Sequence, residues 1–192
     1  KAKLINGDEA SSREFRAKAV QRGESIDKYF WNGEESFYTD FNFKTQKQNN
    51  NITPAGLYPF CFMGDHPDYM SFLGKKIASV LKQKLLKPGG LATSEYATGE
   101  QWDSPNGWAP LEWMMIWGLD RSGQKDLAAE VARRWIKLNM KVYKETGKLM
   151  EKYNVVDITK VAGGGEYAGQ DGFGWTNGVL LALIKKYGIP KE

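Results

Sequence analysis

Apolar residues recur at helical spacing over most of the chain and predict a series of separate helices. The clearest stripe runs through residues 67–87, and Pro88-Gly89-Gly90 marks where that helix ends. Residues 124–143 are again amphipathic, and a last helix is expected over about residues 176–187, ending at Gly188. The apolar positions of the first stripe are Met70, Leu73, Ile77, Val80, Leu81 and Leu85.

The N-terminal part of the chain contains a further helix and the only strand-like pattern. Ser11, followed by Glu14, is typical of a capping box and predicts a helix with Ser11 as its N-cap. Residues 31–41 predict a small hairpin or an extended excursion, residues 46–51 a polar loop, and residues 57–63 a short apolar helix. The apolar face of the N-terminal helix is formed by Phe15, Ala19, Ile26, Tyr29 and Phe30.

Residues 107–119 differ from the other helical stretches because they are apolar on nearly every side, which is typical of a buried helix. Buried and amphipathic helices in alternation favour two concentric layers, an inner ring shielded by an outer one. We therefore predict an all-α fold of the double-ring helical barrel type, with residues 1–192 forming a single segment. In such a barrel the functional site is expected in loops at one end of the ring.

The composition is that of a globular chain. Hydrophobic residues make up 41% of the 192 residues, and no run approaches the ~18 apolar residues that a membrane span needs. The net charge of +4 is modest, and the lysines lie on polar helix faces without interleaved aromatic residues. A solvated surface is therefore favoured over a nucleic-acid site, and neither a membrane nor a nucleic acid is an expected partner.

The chain has a single cysteine, Cys61, and a single histidine, His66. One cysteine excludes an intrachain disulfide and a cysteine cluster for zinc. A nucleophile activated by histidine would depend on His66, which lies in a loop-like Gly-Asp-His-Pro segment without supporting neighbours. Carboxylates are therefore the expected acid–base groups.

Residues 101–110, with the sequence QWDSPNGWAP, carry the most specific chemistry of the chain. Indole rings stack on sugar rings, and the side chains of Asp103 and Asn106 can hold hydroxyl groups from the edge. The stretch is therefore interpreted as the wall of a carbohydrate site. An apolar core rich in tryptophan, lying beneath an ordinary Pro-Asn-Gly turn, explains the same residues equally well.

Two glutamates further along the chain are candidates for chemistry. Glu166 follows three glycines, Gly163-Gly164-Gly165, so that Glu166 and Tyr167 are placed to fold over a ligand as a lid. The alternative for the glycines is a plain flexible connector. Glu151 follows a predicted helix end, and its alternative is a solvated surface pair with the neighbouring Lys152.

Together these stretches resemble the inverting α,α-trehalases of glycoside hydrolase family 37. Residues 101–110 resemble one signature of that family, and residues 163–179, GGGEYAGQDGFGWTNGV, resemble a second. The intervening Leu149-x-Glu151-Lys152-Tyr153 fits as well, and the order and separation agree. The similarity is specific over about residues 88–190 and weaker upstream.

The resemblance implies an (α/α)6 barrel that hydrolyses trehalose to two glucose molecules with inversion, without a cofactor or a metal. Inversion uses two carboxyl groups, one as acid and one to activate water. Glu151 matches the general base of the family, and Glu166, with Tyr167, matches the substrate-binding lid. The other implied substrate-binding residues are Trp102, Asn106 and Trp108, although Trp108 is also suited to packing beneath the site.

The general acid of the family is an Asp well upstream of the QWD motif, and neither Asp40 nor Asp65 has its surroundings. We therefore expect this chain to correspond to the C-terminal part of a trehalase catalytic domain, inactive alone, with the N-terminal part as its partner and trehalose or glucose as its ligand. A non-catalytic sugar-binding module and a different glycosidase on the same barrel are the alternatives. The compartment is undecided, with a periplasmic or secreted location favoured over a cytoplasmic one.

Overall fold

The computed structural model describes residues 2–62, 67–162 and 169–191. Its first two helices are α1 (Ala2–Ile5) and α2 (Glu9–Phe30). The predicted N-cap of the long helix was wrong, because Asp8 caps it: the carboxylate of Asp8 accepts the backbone N–H of Ser11 at 3.1 Å. This hydrogen bond is the largest cause that lowers the pKa of Asp8. A helix N-terminus favours such an anion.

The apolar face predicted for α2 is present but largely uncovered. No residue of this helix is buried, and Phe15 is 57% exposed. Ile26 is half-buried and packs against the core, whereas Tyr29 and Phe30 remain exposed. The helix therefore presents an apolar surface to which the described chain offers little cover.

Two hairpins follow α2. The strands β1 (Trp31–Asn32) and β2 (Phe37–Tyr38) pair antiparallel, which confirms the predicted hairpin. The next pair, β3 (Phe41–Asn42) and β4 (Lys47–Gln48), was missed, because residues 46–51 were interpreted as a loop. Strands of only two residues are too short to show an alternation from which to predict them.

The remaining helices build the core. A 3₁₀ turn (Pro54–Leu57) leads into α3 (Tyr58–Phe62), and the short apolar helix expected in this region is confirmed. The later helices are α4 (Pro67–Lys84), α5 (Ala109–Arg121), α6 (Lys125–Thr146) and α7 (Gly174–Tyr187). Helix α5 is central, because it packs against α3, the 3₁₀ turn, α6 and α7.

Each of the five long predicted helices is confirmed, with shifted ends. Helix α4 stops at Lys84, after which β5 (Leu86–Lys87) turns back onto β6 (Gly90–Leu91). The last two strands, β7 (Asn106–Trp108) and β8 (Lys152–Asn154), form an antiparallel pair. The expectation that only residues 31–41 are strand-like was therefore wrong. The fold is nevertheless dominated by helices, and within the described ranges none of them is long and apolar enough to span a bilayer.

Candidate active site

The β7–β8 ribbon joins the two sequence motifs that lie far apart in the chain. Trp108 pairs with Lys152, and Gly107 pairs with Tyr153. A side chain at Gly107 would lie 2.5 Å from Cγ1 of Val155, so only glycine allows the two segments to approach this closely. The ribbon therefore places the segment 101–110 directly beside the segment that begins at Glu151.

Glu151 immediately precedes β8 and is 2% exposed. Its backbone N–H donates to the carbonyl oxygen of Gln170 at 2.8 Å, and its carbonyl oxygen accepts a hydrogen bond from Nε1 of Trp175 at 3.3 Å. Lys152 is equally buried. The alternative of a solvated Glu–Lys surface pair is therefore wrong, since neither side chain lies at the surface.

The first turn of α7 supports the residue before Glu151. Thr176 is fully buried, and its hydroxyl donates to the carbonyl oxygen of Met150 at 2.8 Å. Met150 also forms an isolated antiparallel bridge with Asp171. The backbone that carries Glu151 is thus held on one side by residues 170–171 and on the other by helix α7.

Trp102 and Trp108 form a stacked pair in which only one ring faces solvent. Their ring centroids are 3.8 Å apart and their planes differ by 7°. Trp102 is 49% exposed, whereas Trp108 is 1% exposed. Trp108 also makes an edge contact with Trp175 at 5.8 Å and has the ammonium of Lys152 over its ring at 5.5 Å. A cation over an indole face is a favourable arrangement.

The carbonyl oxygen of Gln101 fixes the backbone that precedes Trp102. It accepts hydrogen bonds from Nδ2 of Asn106 and from Nε1 of Trp108, both at 3.1 Å. Asn106 is fully buried, and its backbone carbonyl oxygen accepts hydrogen bonds from the backbone N–H and the hydroxyl of Thr93. Trp108 thus lies beneath Trp102, Asn106 anchors the backbone before Trp102, and the role of both residues in substrate binding stays a prediction.

Asp103 closes the same loop. Oδ2 of its buried carboxylate accepts the backbone N–H of Thr98 at 2.6 Å and the hydroxyl of Thr98 at 2.5 Å. The structure therefore gives Asp103 a local partner in the loop. Within residues 101–110, Trp102 offers the largest exposed apolar surface.

Sequence reasoning missed the buried carboxyl group of Glu112, in the first turn of α5. Its Oε1 accepts the backbone N–H of Leu91 at 2.7 Å, and no partner for Oε2 is present among the described residues. Complete burial raises the pKa of Glu112 well above its usual value of 4.5. One signal was available, since Glu112 is the single acid among the apolar residues 108–119.

Other sequence candidates fall outside the site or outside the described ranges. Glu166, Tyr167 and His66 belong to segments that the structure does not describe. Burial raises the pKa of the Cys61 thiol to about 11, and its sulfur donates to the carbonyl oxygen of Met114 at 3.2 Å. A buried thiol with a raised pKa is a poor nucleophile.

Comparison with known proteins places the chain in context. A family model described as Trehalase matches residues 1–188. The neutral trehalase Nth1 from Saccharomyces cerevisiae is similar in structure, with a TM-score of 0.72, 26% identity and coverage of 88% of this chain. The match covers 30% of the yeast chain, so that this chain spans about a third of its length.

Two solved structures from Thermus thermophilus resemble the chain at lower identity. A GH63 mannosylglycerate hydrolase in complex with glucose has a TM-score of 0.60 and 20% identity, over 87% of this chain and 39% of the other. An uncharacterized conserved protein has a TM-score of 0.58 and 20% identity, over 82% of this chain and 37% of the other. At this identity the likeness concerns the fold alone. The prediction of a helical barrel, present here in part, is confirmed.

Proposed function

This chain belongs to the trehalase family, and on that premise we propose that it takes part in the hydrolysis of α,α-trehalose to two glucose molecules with inversion. The structural observation that carries the proposal is the meeting of two motifs at one place. The β7–β8 ribbon sets the exposed ring of Trp102, on its support Trp108, next to the segment that bears the buried Glu151. A flat aromatic surface beside a fixed carboxylate suits a sugar and the water that attacks it.

In the proposed reaction Glu151 is the general base. A water molecule on one face of the scissile glucosyl ring loses a proton to the carboxylate of Glu151 while its oxygen attacks C1. On the opposite face a second carboxylic acid donates a proton to the leaving glucose oxygen, so that the C1–oxygen bond breaks and two neutral glucose molecules result. Inverting enzymes separate the two carboxyl groups by about 6.5–9.5 Å to admit that water.

The rigid backbone at Glu151 supports this role. Hydrogen bonds from Trp175 to the carbonyl oxygen and from Thr176 to the preceding carbonyl oxygen fix the peptide planes around the base. A general base contributes most when its position is set before substrate arrives. We therefore assign Trp175 and Thr176 as positioning residues for Glu151.

Glu166 and Tyr167 are proposed to close over the substrate as a lid. What supports this is the attachment of the segment after them, because the backbone N–H of Glu151 donates to the carbonyl oxygen of Gln170. Closure of a loop that ends at Gln170 would thereby act on the backbone that carries the base. Trp102, Asn106 and Trp108 complete the proposed substrate-binding set, with Trp102 in contact with the sugar, Trp108 beneath it and Asn106 anchoring the backbone before it.

The proposed partner of the chain is the remaining part of a trehalase catalytic domain, including the general acid. What supports this is that large apolar side chains are exposed on helices α2, α4 and α7 and at the end of α3. Those with more than half of their surface exposed include Phe15, Val20, Phe62, Phe72 and Leu181. Helices that complete the barrel would cover these faces.

The test compares the chain alone with an enzyme that contains it. The purified chain is expected to release no glucose from trehalose, whereas an enzyme that contains the whole catalytic domain releases it as two products, the newly formed one as the β-anomer, which NMR observes directly. In that enzyme Glu151→Gln is expected to lower kcat by about 10²–10⁴-fold, with trehalose binding retained. Glu145→Gln, an exposed carboxylate at the end of α6, is the matched control.

Four results would contradict the proposal. Glucose release by the chain alone would show that the acid is not required from elsewhere, and near-normal rates for Glu151→Gln would remove Glu151 from the base role. Trehalose binding by an enzyme that contains the whole catalytic domain, without turnover, would favour a sugar-binding module, and a preference for maltose over trehalose would indicate another glycosidase.

A further inference from the structure

Positive charge gathers around a concave surface on the outer side of helix α6, which we call the basic groove. The groove has a volume of about 480 Å³ and is bounded by α6, by Pro88, by Ile158 and by the residues after α7. Its cationic side chains are Arg133, Arg134, Lys137, Lys141 and Lys191. Glu130 is the one carboxylate among the described residues that line it.

The spacing of these cations on α6 is not explained by helix stability. Arg133, Lys137 and Lys141 follow one another at intervals of four residues and therefore share one face of the helix. Like charges at this spacing repel each other and oppose helix formation. Lys141 has an opposite charge to offset this repulsion, since its Nζ lies 3.9 Å from Oε1 of Glu145, whereas Arg133 and Lys137 have no ion pair among the described residues.

Two of the cations are fixed as walls of the basic groove. Arg134 donates through Nη1 to the carbonyl oxygen of Lys87 at 2.7 Å and through Nη2 to Glu130 at 2.6 Å. Lys141 donates through Nζ to the carbonyl oxygen of Ile158 at 2.6 Å. These bonds tie the loops that flank the groove to α6, so that the concave shape exists before any ligand arrives.

Other cations of the groove are available to a ligand. Arg133 and Lys137 are exposed, and neither forms an ion pair within the part of the chain that the structure describes. The floor between them and the flanking loops is apolar, formed by Pro88, Leu138, Ile158 and Pro190. The basic groove thus combines unneutralised charge at its rim with an apolar base.

We infer that the basic groove binds a small phosphate ester, the phosphate held by Arg133 and Lys137 and the organic part resting on the apolar floor. Arginine presents a planar fork of donors that matches phosphate oxygens, and a lysine ammonium adds a point charge. The volume is that of a small-molecule site. Among the described residues no aromatic side chain lines the groove, so a nucleobase has nothing there to stack on, and a sugar phosphate fits better than a nucleotide. This site is independent of trehalose hydrolysis.

The experiment is calorimetric titration of the 192-residue chain with ribose 5-phosphate, with ribose and inorganic phosphate as comparisons. Ribose 5-phosphate is expected to bind at one site with a Kd on the order of 1 mM or tighter. Ribose is expected to show no saturable binding, and inorganic phosphate a weaker one. The affinity for the ester should fall as salt is raised, because the cations are exposed.

Paired variants locate the site. Arg133→Gln with Lys137→Gln is expected to weaken ribose 5-phosphate binding by at least about tenfold, since two charge-assisted hydrogen bonds are lost. Lys75→Gln with Lys82→Gln removes the same charge from exposed positions of α4 and should change the affinity by less than about twofold. Circular dichroism checks that both variants keep the helical content of the parent chain.

Three outcomes would overturn the inference. Absence of saturable ester binding to the parent chain removes the site. Equal affinity of the parent chain and of the Arg133→Gln, Lys137→Gln variant for ribose 5-phosphate would show that the ester binds outside the basic groove. Equal affinity for inorganic phosphate and ribose 5-phosphate removes the assignment of an ester.

Discussion

Trp102 lies flat on Trp108, with ring centroids 3.8 Å apart, and the two indoles have opposite relations to solvent. The buried ring also donates its Nε1–H to the carbonyl oxygen of Gln101, the residue that precedes the exposed ring. The lower tryptophan therefore sets both the plane and the backbone of the upper one. In the proposed sugar site Trp102 is therefore the residue that contacts the sugar, and Trp108 is the residue that supports Trp102. These two roles can be tested separately.

Substitution of the two tryptophans should separate binding from stability. Trp108→Ala removes a buried indole and is expected to lower the free energy of unfolding by about 3–5 kcal/mol. Trp102→Ala removes a half-exposed ring and should cost about 1–2 kcal/mol, while abolishing measurable trehalose binding in an enzyme that contains the whole catalytic domain. Urea denaturation and calorimetric titration measure the two effects. Equal losses of stability in the two variants would contradict the division of roles.

Glu112 makes stability depend on pH in a direction opposite to that of most carboxyl groups. Its pKa in the folded chain is raised well above 4.5, because burial disfavours the ionised form. The folded state therefore holds a proton that the unfolded state releases. The contribution of Glu112 to stability is present in full below about pH 4.5 and is lost as pH rises towards and through the folded pKa. The substitution Glu112→Gln keeps the shape of the side chain but removes the ionisable group.

The variant Glu112→Gln is accordingly expected to be more stable than the parent chain at about pH 7 and above, and nearly as stable at about pH 4. The measurement is urea unfolding at intervals of pH, with the difference between the two proteins plotted against pH. A difference for Glu112→Gln that shrinks as pH rises would contradict the assignment.

Helices and the proposed site residues were accessible from the sequence for different reasons. The stripes of α4 and α6 repeat over many turns, so their existence was predicted and only their ends moved. Trp102 and Glu151 came from motif similarity, which is read directly from residue identities. The pairing of β7 with β8 brings these two residues close together. The pairing could not be predicted, because all three residues of each strand are buried and the strands therefore show no alternation of apolar and polar positions.

The sequence also did not show which residue caps α2 or that the carboxyl group of Glu112 is buried. Asp8 and Ser11 are both good N-cap residues, and the choice of Asp8 depends on where the chain turns after α1, which no local pattern reveals. Glu112 looks like a polar break in an apolar helix, and only the approach of β6 explains it. Both cases depend on contacts between elements.

The approach of β6 to Glu112 requires a glycine at position 90. Gly90 has φ +140°, and a side chain there would collide with Oε1 of Glu112. Gly90→Ala is expected to lower the free energy of unfolding by about 2–4 kcal/mol, since backbone strain and overpacking both act. Gly99→Ala, with φ +94° and open space around it, is the matched control and should cost only about 1–2 kcal/mol. Similar losses for the two variants would show that the contact with Glu112 is unimportant.

The hydroxyl of Thr176 provides a test of how the proposed base is held. It donates to the carbonyl oxygen of Met150, directly before Glu151, from a fully buried position in the first turn of α7. Thr176→Val keeps the shape but leaves that carbonyl without this donor, at a cost of about 1–3 kcal/mol in unfolding free energy. Because the peptide before the base then loses the hydrogen bond on its carbonyl side and keeps the one from the N–H of Glu151 to Gln170, kcat in an enzyme that contains the whole catalytic domain should fall while KM changes little. Thr176→Ser restores the donor and should recover most of kcat. A normal kcat in Thr176→Val together with a loss in Thr176→Ser would mean that the methyl group of Thr176, and not its hydroxyl, is what positions Glu151.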